Sequence, residues 1–254
     1  MAQGQVHGGP GPGAAVPESW QWMYDTARRT VAALGGSPRI EVRRPGGDSE
    51  PALLPAIPAI RAFRAEVYYA GGRRPSFRAP DGRFTDPDDA DLRAHHVTCR
   101  DGDVLVGCIR AVPAELLSAS PVEAHLGPGR AAALISELGT DRTGLLEAAR
   151  LAVTAARRLQ GIAAALMMVT LALARQMGRP VVWGTAGEGE GQDRFCARFG
   201  FRVLPGSSAY VPRYRDSVCV VVHDLRTAPP RVAEAIAMVQ RAISGAGTGQ
   251  GGPG

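Results

Sequence analysis

The chain has 254 residues, 45% hydrophobic and 21% charged, with a formal charge of +5 carried by arginine. These proportions exclude a disordered polyelectrolyte and support one sizeable core, so one main domain with tails is expected. Four cysteines, Cys99, Cys108, Cys196 and Cys219, form no metal-ligand pairs and are too sparse for a disulfide scaffold, so they are expected to be reduced and mostly buried.

The arginines are scattered rather than gathered into a stripe with interleaved aromatics, which argues against nucleic acid as a partner. Their excess still favours an anionic ligand such as a nucleotide phosphate or an acidic carrier protein. Met1-Ala2-Gln3-Gly4-Gln5 lacks the charged start and apolar run of a signal peptide. The longest nearly apolar stretch, Ile162 to Ala174, is too short to span a bilayer, so a cytoplasmic protein without a membrane span is expected.

Gly4 to Gly13 and Gly245 to Gly254 are dominated by Gly with Pro and small polar residues, a composition that cannot bury enough apolar surface to offset ordering. Residues 1–17 and 245–254 are therefore expected to be disordered tails around a domain at 18–244. Within it, Trp20, Met23, Ala27, Val31 and Leu34 recur at helical spacing over Glu18 to Leu34. Arg39 to Arg44 alternates as a short strand, and Pro45 to Pro58 is a Pro-rich connection. A second helix, Ala59 to Ala70, buries Ile60, Phe63 and Val67, with Arg61 and Arg64 expected elsewhere on its surface. Arg73 to Asp91 is a polar loop too long to be a simple turn, and loops of that length are usually functional or mobile.

His95 to Cys99 and Val104 to Val112 read as strands of a hairpin through Asp101-Gly102. His95 and His96 carry no metal-ligand pattern and are expected as core or surface imidazoles. Leu145 to Met177 would be one helix by propensity alone, broken at Gly161. On the motifs given below, and against local propensity, it is assigned instead as a strand, Leu145 to Thr154, a turn, and a helix, Ile162 to Met177, ended by Gly178 and Pro180. Val181 to Thr185, Phe201 to Leu204 and Val218 to Leu225 are further strands; Gln192 to Phe199 and Pro230 to Ser244 are helices.

The turn between Thr154 and Ile162 is where chemistry concentrates. A glycine-opened helix start aims backbone N–H groups and the positive end of the helix at one point, an arrangement that binds phosphate. Gly161 allows close approach, and Arg157 and Arg158 add charge-assisted hydrogen bonds.

Arg158-Leu159-Gln160-Gly161-Ile162-Ala163 resembles the Q/R-x-x-G-x-G/A pyrophosphate loop of GNAT acyltransferases, and Phe195-Cys196-Ala197-Arg198-Phe199-Gly200-Phe201 resembles that family's F-Y-x-x-x-G-F element. The resemblance implies an α/β (α+β) class protein with the GNAT fold, a mixed central sheet of about six to seven strands flanked by helices, with an extra N-terminal and an extra C-terminal helix. It implies an acyl-CoA or acyl carrier protein thioester as donor, no metal, and donor-binding residues Val153, Arg157, Arg158, Gln160, Gly161, Ile162 and Ala163. Cys196 stands where many of these enzymes have a tyrosine that protonates the leaving thiolate; a buried core thiol is the preferred reading here.

Glu147-Ala148-Ala149-Arg150 is similar to the E-x-S-R segment of acyl-homoserine-lactone synthases and N-acyl amino acid synthases, with Ala149 in place of the serine. Those families also place acidic residues before a strand pair ending in Gly-x-x-Arg, for which Asp86, Asp88, Asp89, Asp91 and Gly107-Cys108-Ile109-Arg110 are the candidates.

This narrower likeness implies Glu147 as catalytic base and Arg110, Arg150, Asp88 and Asp91 as acceptor-binding residues. Arg110 and Arg64 would either clamp an acceptor carboxylate or hold the Asp loop. The expected activity is transfer of an acyl group, fatty by resemblance, to the amine of an amino acid or similar small acceptor, with an acyl carrier protein as a candidate partner. An acetyl-CoA-dependent small-amine acetyltransferase and a non-catalytic acyl-CoA-binding module are the alternatives.

Overall fold

A computed structural model describes residues 18–34, 36–45 and 56–246. Helix α1 (Glu18–Leu34) leads to strand β1 (Arg39–Arg43), and helix α2 (Ala56–Ala70) starts three residues before its expected first residue, with Pro58 in the first turn, where a missing N–H costs nothing. The N-terminal tail and residues 46–55 of the Pro-rich connection lie outside the described residues, as does the side chain of Trp20.

The hairpin is β2 (His95–Asp101) and β3 (Val104–Pro113), followed by the short helices α3 (Pro121–Leu126) and α4 (Pro128–Glu137). Then come β4 (Leu145–Val153), α5 (Ile162–Gln176), β5 (Val181–Gly187), α6 (Gln192–Ala197), β6 (Arg202–Val203), β7 (Ala209–Val211), β8 (Asp216–Asp224) and α7 (Pro230–Ala246). The last helix runs through Gly245 and Ala246, so the first two residues of the expected C-terminal tail are helical, and 247–254 lie outside the described residues.

The sheet runs β1-β2-β3-β4-β5-β8-β6, with β7 also paired to β8. Every pairing is antiparallel except β4 with β5. The described residues thus hold eight strands rather than six to seven; the additional one, β7, has three residues, too few for an alternation to register.

One face of the sheet is covered by α1, α5 and α7. Helix α5 is buried on nearly every side, as an all-round apolar helix must be, and packs Ile162 and Leu166 against β3. Gly107 makes that approach possible, because a Cβ there would stand 2.7 Å from Ile162 Cγ2. The second face carries α3 and α4, whose Val122 and Leu134 pack on Leu145, Val181 and Trp183, and α2, whose Ile60 meets Cys108 and Ala152.

The segment Leu145–Val153 is a strand despite its helix-favouring Leu, Ala, Glu and Arg. Leu145 points to one apolar layer and Leu146 to the other, so both faces of β4 are buried between partners that a lone helix would lack.

Candidate active site

Strands β4 and β5 are paired only from Leu145 to Glu147 against Val181 to Trp183, and beyond that point they part. At the fork, Gly184 is required: a Cβ there would stand 2.5 Å from the Ala148 carbonyl oxygen. On the other side of β4, Cys108 is opposite Ala152 and Arg110 opposite Ala149, so Ile109 alone faces two residues, Arg150 and Leu151. This is a β-bulge, with Arg150 in the left-handed region at φ 61. The bulge bends β4 away from β5, and no described strand pairs with that edge beyond Glu147.

A cleft fills the fork. Its inner cavity, about 120 Å³, is walled by Ala148 to Leu151 of β4, Gly184 to Gly187 of β5, Met167 of α5 and Cys196 of α6. An outer cavity of about 570 Å³ continues along Leu151 to Val153 to Arg158 and Ala163. Tyr68, Arg73, Leu151, Gln192 and Phe195 border both, so the two form one passage from the fork to the start of α5.

At that start Gly161 has φ 77, a conformation that glycine adopts without cost, and the first N–H groups of α5 have no intrahelical partner. Arg157 is tied to Asp101 and donates to Gln160 Oε1 at 3.0 Å. Arg158 is exposed, has no acidic partner among the described residues, and borders the outer cavity. Of the donor-binding candidates, Val153, Arg158 and Ala163 therefore line the cleft, Gly161 caps the helix, Gln160 and Arg157 brace the loop, and Ile162 is buried against β3.

Glu147 is fully buried on the α3 face of the sheet rather than on the wall of the cleft. Neither carboxylate oxygen has a hydrogen bond of normal geometry. Burial raises its pKa to about 7, opposed by the nearby Ser120 hydroxyl, the Arg110 charge and the Val122 N–H. Pro121, between Ser120 and Val122 in sequence, does line the inner cavity, so the start of α3 borders both the carboxyl and the cleft.

The acidic loop folds onto α2. Arg64, expected on the helix surface, is fully buried: it grips both Asp91 oxygens at 2.9 and 2.8 Å and reaches Asp86 at 3.1 Å. The correction has a simple cause, since Arg64 lies four residues after Ile60 on the buried stripe, and carboxylates arriving from the loop compensate its charge. Arg61 also bonds Asp91 at 2.8 Å, Arg110 bonds Asp88 at 2.7 Å and Asp91 at 3.2 Å, and Arg150 bonds Asp86 and Asp88 at 3.0 Å.

Burial alone would raise the Asp91 carboxyl, but the hydrogen bonds and charge of Arg64, then of Arg61 and Arg110, hold it well below the usual carboxylate range. Of the acceptor-binding candidates, Arg110, Asp88 and Asp91 thus lie in a network that anchors the loop, and Arg150 belongs both to the network and to the cleft wall.

Cys196 is buried and also on the inner wall; burial, with Cys219 and Asp193 nearby, pushes its thiol up to about 12. All four cysteines are free and buried. His96 is buried with Nε2 2.9 Å from the Asp91 carbonyl oxygen, and His95 is half-buried.

Sequence reasoning did not single out Tyr68, Arg73, Arg74, Gln192, Tyr214 or Asp216, which border the inner cavity. Tyr68, which donates to the Leu151 carbonyl at 3.1 Å, was within reach, because it lies four residues after Arg64 on the same helical stripe. Among the described residues no group of three or more His, Cys, Asp or Glu could hold a metal ion, and no helix is long and apolar enough to cross a membrane.

Residues 58–201, more than half of the chain, match the model of the acetyltransferase (GNAT) family. No curated protein matches this sequence. Among solved structures, similar folds include BjaI, a CoA-dependent acyl-homoserine lactone synthase solved with SAM and isopentyl-CoA, at 19% identity and a TM-score of 0.55 over 83% of this chain and 90% of that one. TofI, in a ternary complex with an inhibitor and MTA, is 17% identical with a TM-score of 0.56 over 80% and 98%. FeeM, an N-acyl amino acid synthase from uncultured soil microbes, is 17% identical with a TM-score of 0.52 over 81% and 98%. At these identities the likeness is one of fold.

Proposed function

We propose, from the premise that the chain belongs to the acetyltransferase (GNAT) family and is an acyltransferase, that it moves an acyl group from a coenzyme A or carrier-protein thioester to the amine of an amino acid or similar small acceptor. The observation that carries this reading is the single passage from the Arg158–Ala163 loop to the β4 bulge. The donor's phosphates would meet the first turn of α5 and Arg158, which has no acidic partner among the described residues, and its pantetheine arm would follow the edge of β4 that no described strand covers. Backbone N–H groups at the bulge would stabilise the oxyanion that forms on the thioester carbonyl.

The amine must lose a proton to attack. Glu147, with its pKa near 7, is matched to that task, taking the proton through a water or the Ser120 hydroxyl. The amine nitrogen then bonds to the carbonyl carbon, the carbon–sulfur bond breaks, and the thiolate takes up a proton, giving an amide and a free thiol. Arg110, Asp88 and Asp91 serve by holding the loop and Arg150 against the cleft.

The resemblance of Glu147-Ala148-Ala149-Arg150 to a segment of N-acyl amino acid synthases supports a fatty acyl donor. The inner cavity favours a short one, since its roughly 120 Å³ is small beside the ~300–1,000 Å³ of pockets for drug-sized ligands. Mass spectrometry of products formed with donors from acetyl to long-chain, on CoA and on carrier protein, separates the two. Amide formation with no donor and no amine in the panel would sink the proposal.

The loop is testable by itself. Gly161→Ala forces a side chain into the left-handed region, a penalty of about 1–2 kcal/mol. Because the free loop relaxes out of that conformation and must regain it to bind, calorimetric titration should show coenzyme A affinity reduced about tenfold, the equivalent of ~1.4 kcal/mol.

A further inference from the structure

The inner cavity contains a cation that the described residues leave without a counter-ion. Three arginines border it: Arg73, Arg74 and Arg150. Arg73 is paired with Asp216 at 3.0 Å and Glu190 at 3.2 Å, and Arg150 with Asp86 and Asp88 at 3.0 Å. Arg74, half-buried, has no ion pair or hydrogen bond from its side chain among the described residues. Its guanidinium is held by rings instead, 3.9 Å from the Tyr214 centroid and 5.0 Å from that of Phe77. Arg213, itself exposed and 5.0 Å from the Tyr214 centroid, adds a second positive charge and likewise has no described acidic partner.

An aromatic ring fixes the plane of a guanidinium but leaves its N–H edge unsatisfied, and that edge matches a carboxylate with two parallel hydrogen bonds. Desolvation makes the mismatch matter: burial, with the charges of Arg150 and Arg213, disfavours the charged form of Arg74, and Tyr214 and the charge of Asp86, which makes no ion pair with it, only partly offset this. The position excludes the donor's phosphates as the intended anion. On the function proposed above, their place is the outer cavity at Arg158 and the start of α5, which Arg74 does not border. Arg74 shares the inner cavity with the bulge at Ala149 to Leu151, where the thioester carbonyl would be attacked.

We infer that Arg74, set on Tyr214, binds the carboxylate of the acceptor, so that this acyltransferase selects amines bearing a carboxylate over plain amines. The inference rests on the function proposed above and adds the residue that would choose its acceptor.

The test uses binding, so that it stands apart from turnover. Calorimetry would compare N-dodecanoylglycine with its methyl ester, and N-acetylglycine with its methyl ester, on the wild type, Arg74→Gln and Arg74→Lys. The acid should bind at least tenfold more tightly than the ester to the wild type, the ratio should fall to near one in Arg74→Gln, and lysine should restore part of it. Coenzyme A affinity should be unchanged in both variants, which also reports that they are folded. Equal binding of acid and ester by the wild type, binding of neither, a preference that survives in Arg74→Gln, or loss of coenzyme A binding in that variant would each overturn the assignment. Failure of the wild type to acylate any amine would instead count against the proposed function, since the acid-to-ester ratio does not depend on turnover.

Discussion

Asp91→Ala should destabilise the fold by about 3–5 kcal/mol, the cost of removing one member of a buried ion pair and leaving its partners charged and unsatisfied. Asp91 has no exposed surface and bonds three arginines, of which Arg64 and Arg110 are themselves buried. Arg61→Ala is the contrast: its side chain is 23% exposed and Arg64 and Arg110 would still neutralise Asp91, so the loss should be well under half as large. Urea denaturation of the two variants beside the wild type checks both. Similar midpoints for Asp91→Ala and the wild type would mean that the network does not hold the loop.

The same pairing fixes the sign of an acid effect. The folded-state pKa of Asp91 is depressed, so its contribution is complete above the ~3.9 of an unfolded aspartate and lost as pH falls through the folded value. Asp88 shifts in the same direction: burial works against it, but Arg110 and Arg150 prevail. Below about pH 4 the wild type should therefore lose stability more steeply than Asp91→Ala, which has already lost that contribution.

How much of this was legible in the sequence differs between the two halves of the site. The donor half is local: Gly161, Arg158 and Ala163 lie within one turn and the start of one helix, so their spacing carries the geometry. The strand assignment for Leu145 to Thr154 depends on that loop, because its own residues favour a helix. The acceptor half is not local. Arg64 reads as a surface charge until Asp86 and Asp91 are known to fold over it, and Arg74 becomes distinctive only once Tyr214 is beneath it. Nor does any residue type announce the bulge, since Arg150 takes a left-handed conformation that tertiary contacts impose. Helices α3 and α4 do carry a local sequence signal. Ser120 and Glu123 form a capping box, and Pro121 and Pro128 each open a helix. These starts mark the element that covers Glu147.

Glu147→Gln should lower kcat by about 10²- to 10⁴-fold, the usual contribution of a general base, while leaving donor affinity nearly intact. The residue's position makes the outcome informative. Its carboxyl is buried and lacks good hydrogen bonds, which costs stability, and that is the opposite of what a purely structural glutamate would show. Linkage gives the sign: the folded-state pKa, about 7, lies above the ~4.3 of an unfolded glutamate, so the protonated form stabilises the fold. That contribution is complete below the unfolded pKa and disappears as pH rises through the folded one. Glutamine keeps the shape of the neutral acid and never ionises, so at pH 8 the variant should melt at or above the wild-type temperature even as turnover collapses. In the wild type, kcat/KM should rise with pH through about 7 as the carboxyl ionises, and this limb should vanish in the variant. Unchanged activity would remove Glu147 as base. A loss of activity accompanied by a lower melting temperature or lost coenzyme A binding would instead place it in the scaffold, and proton transfer would pass to water at the β4 fork.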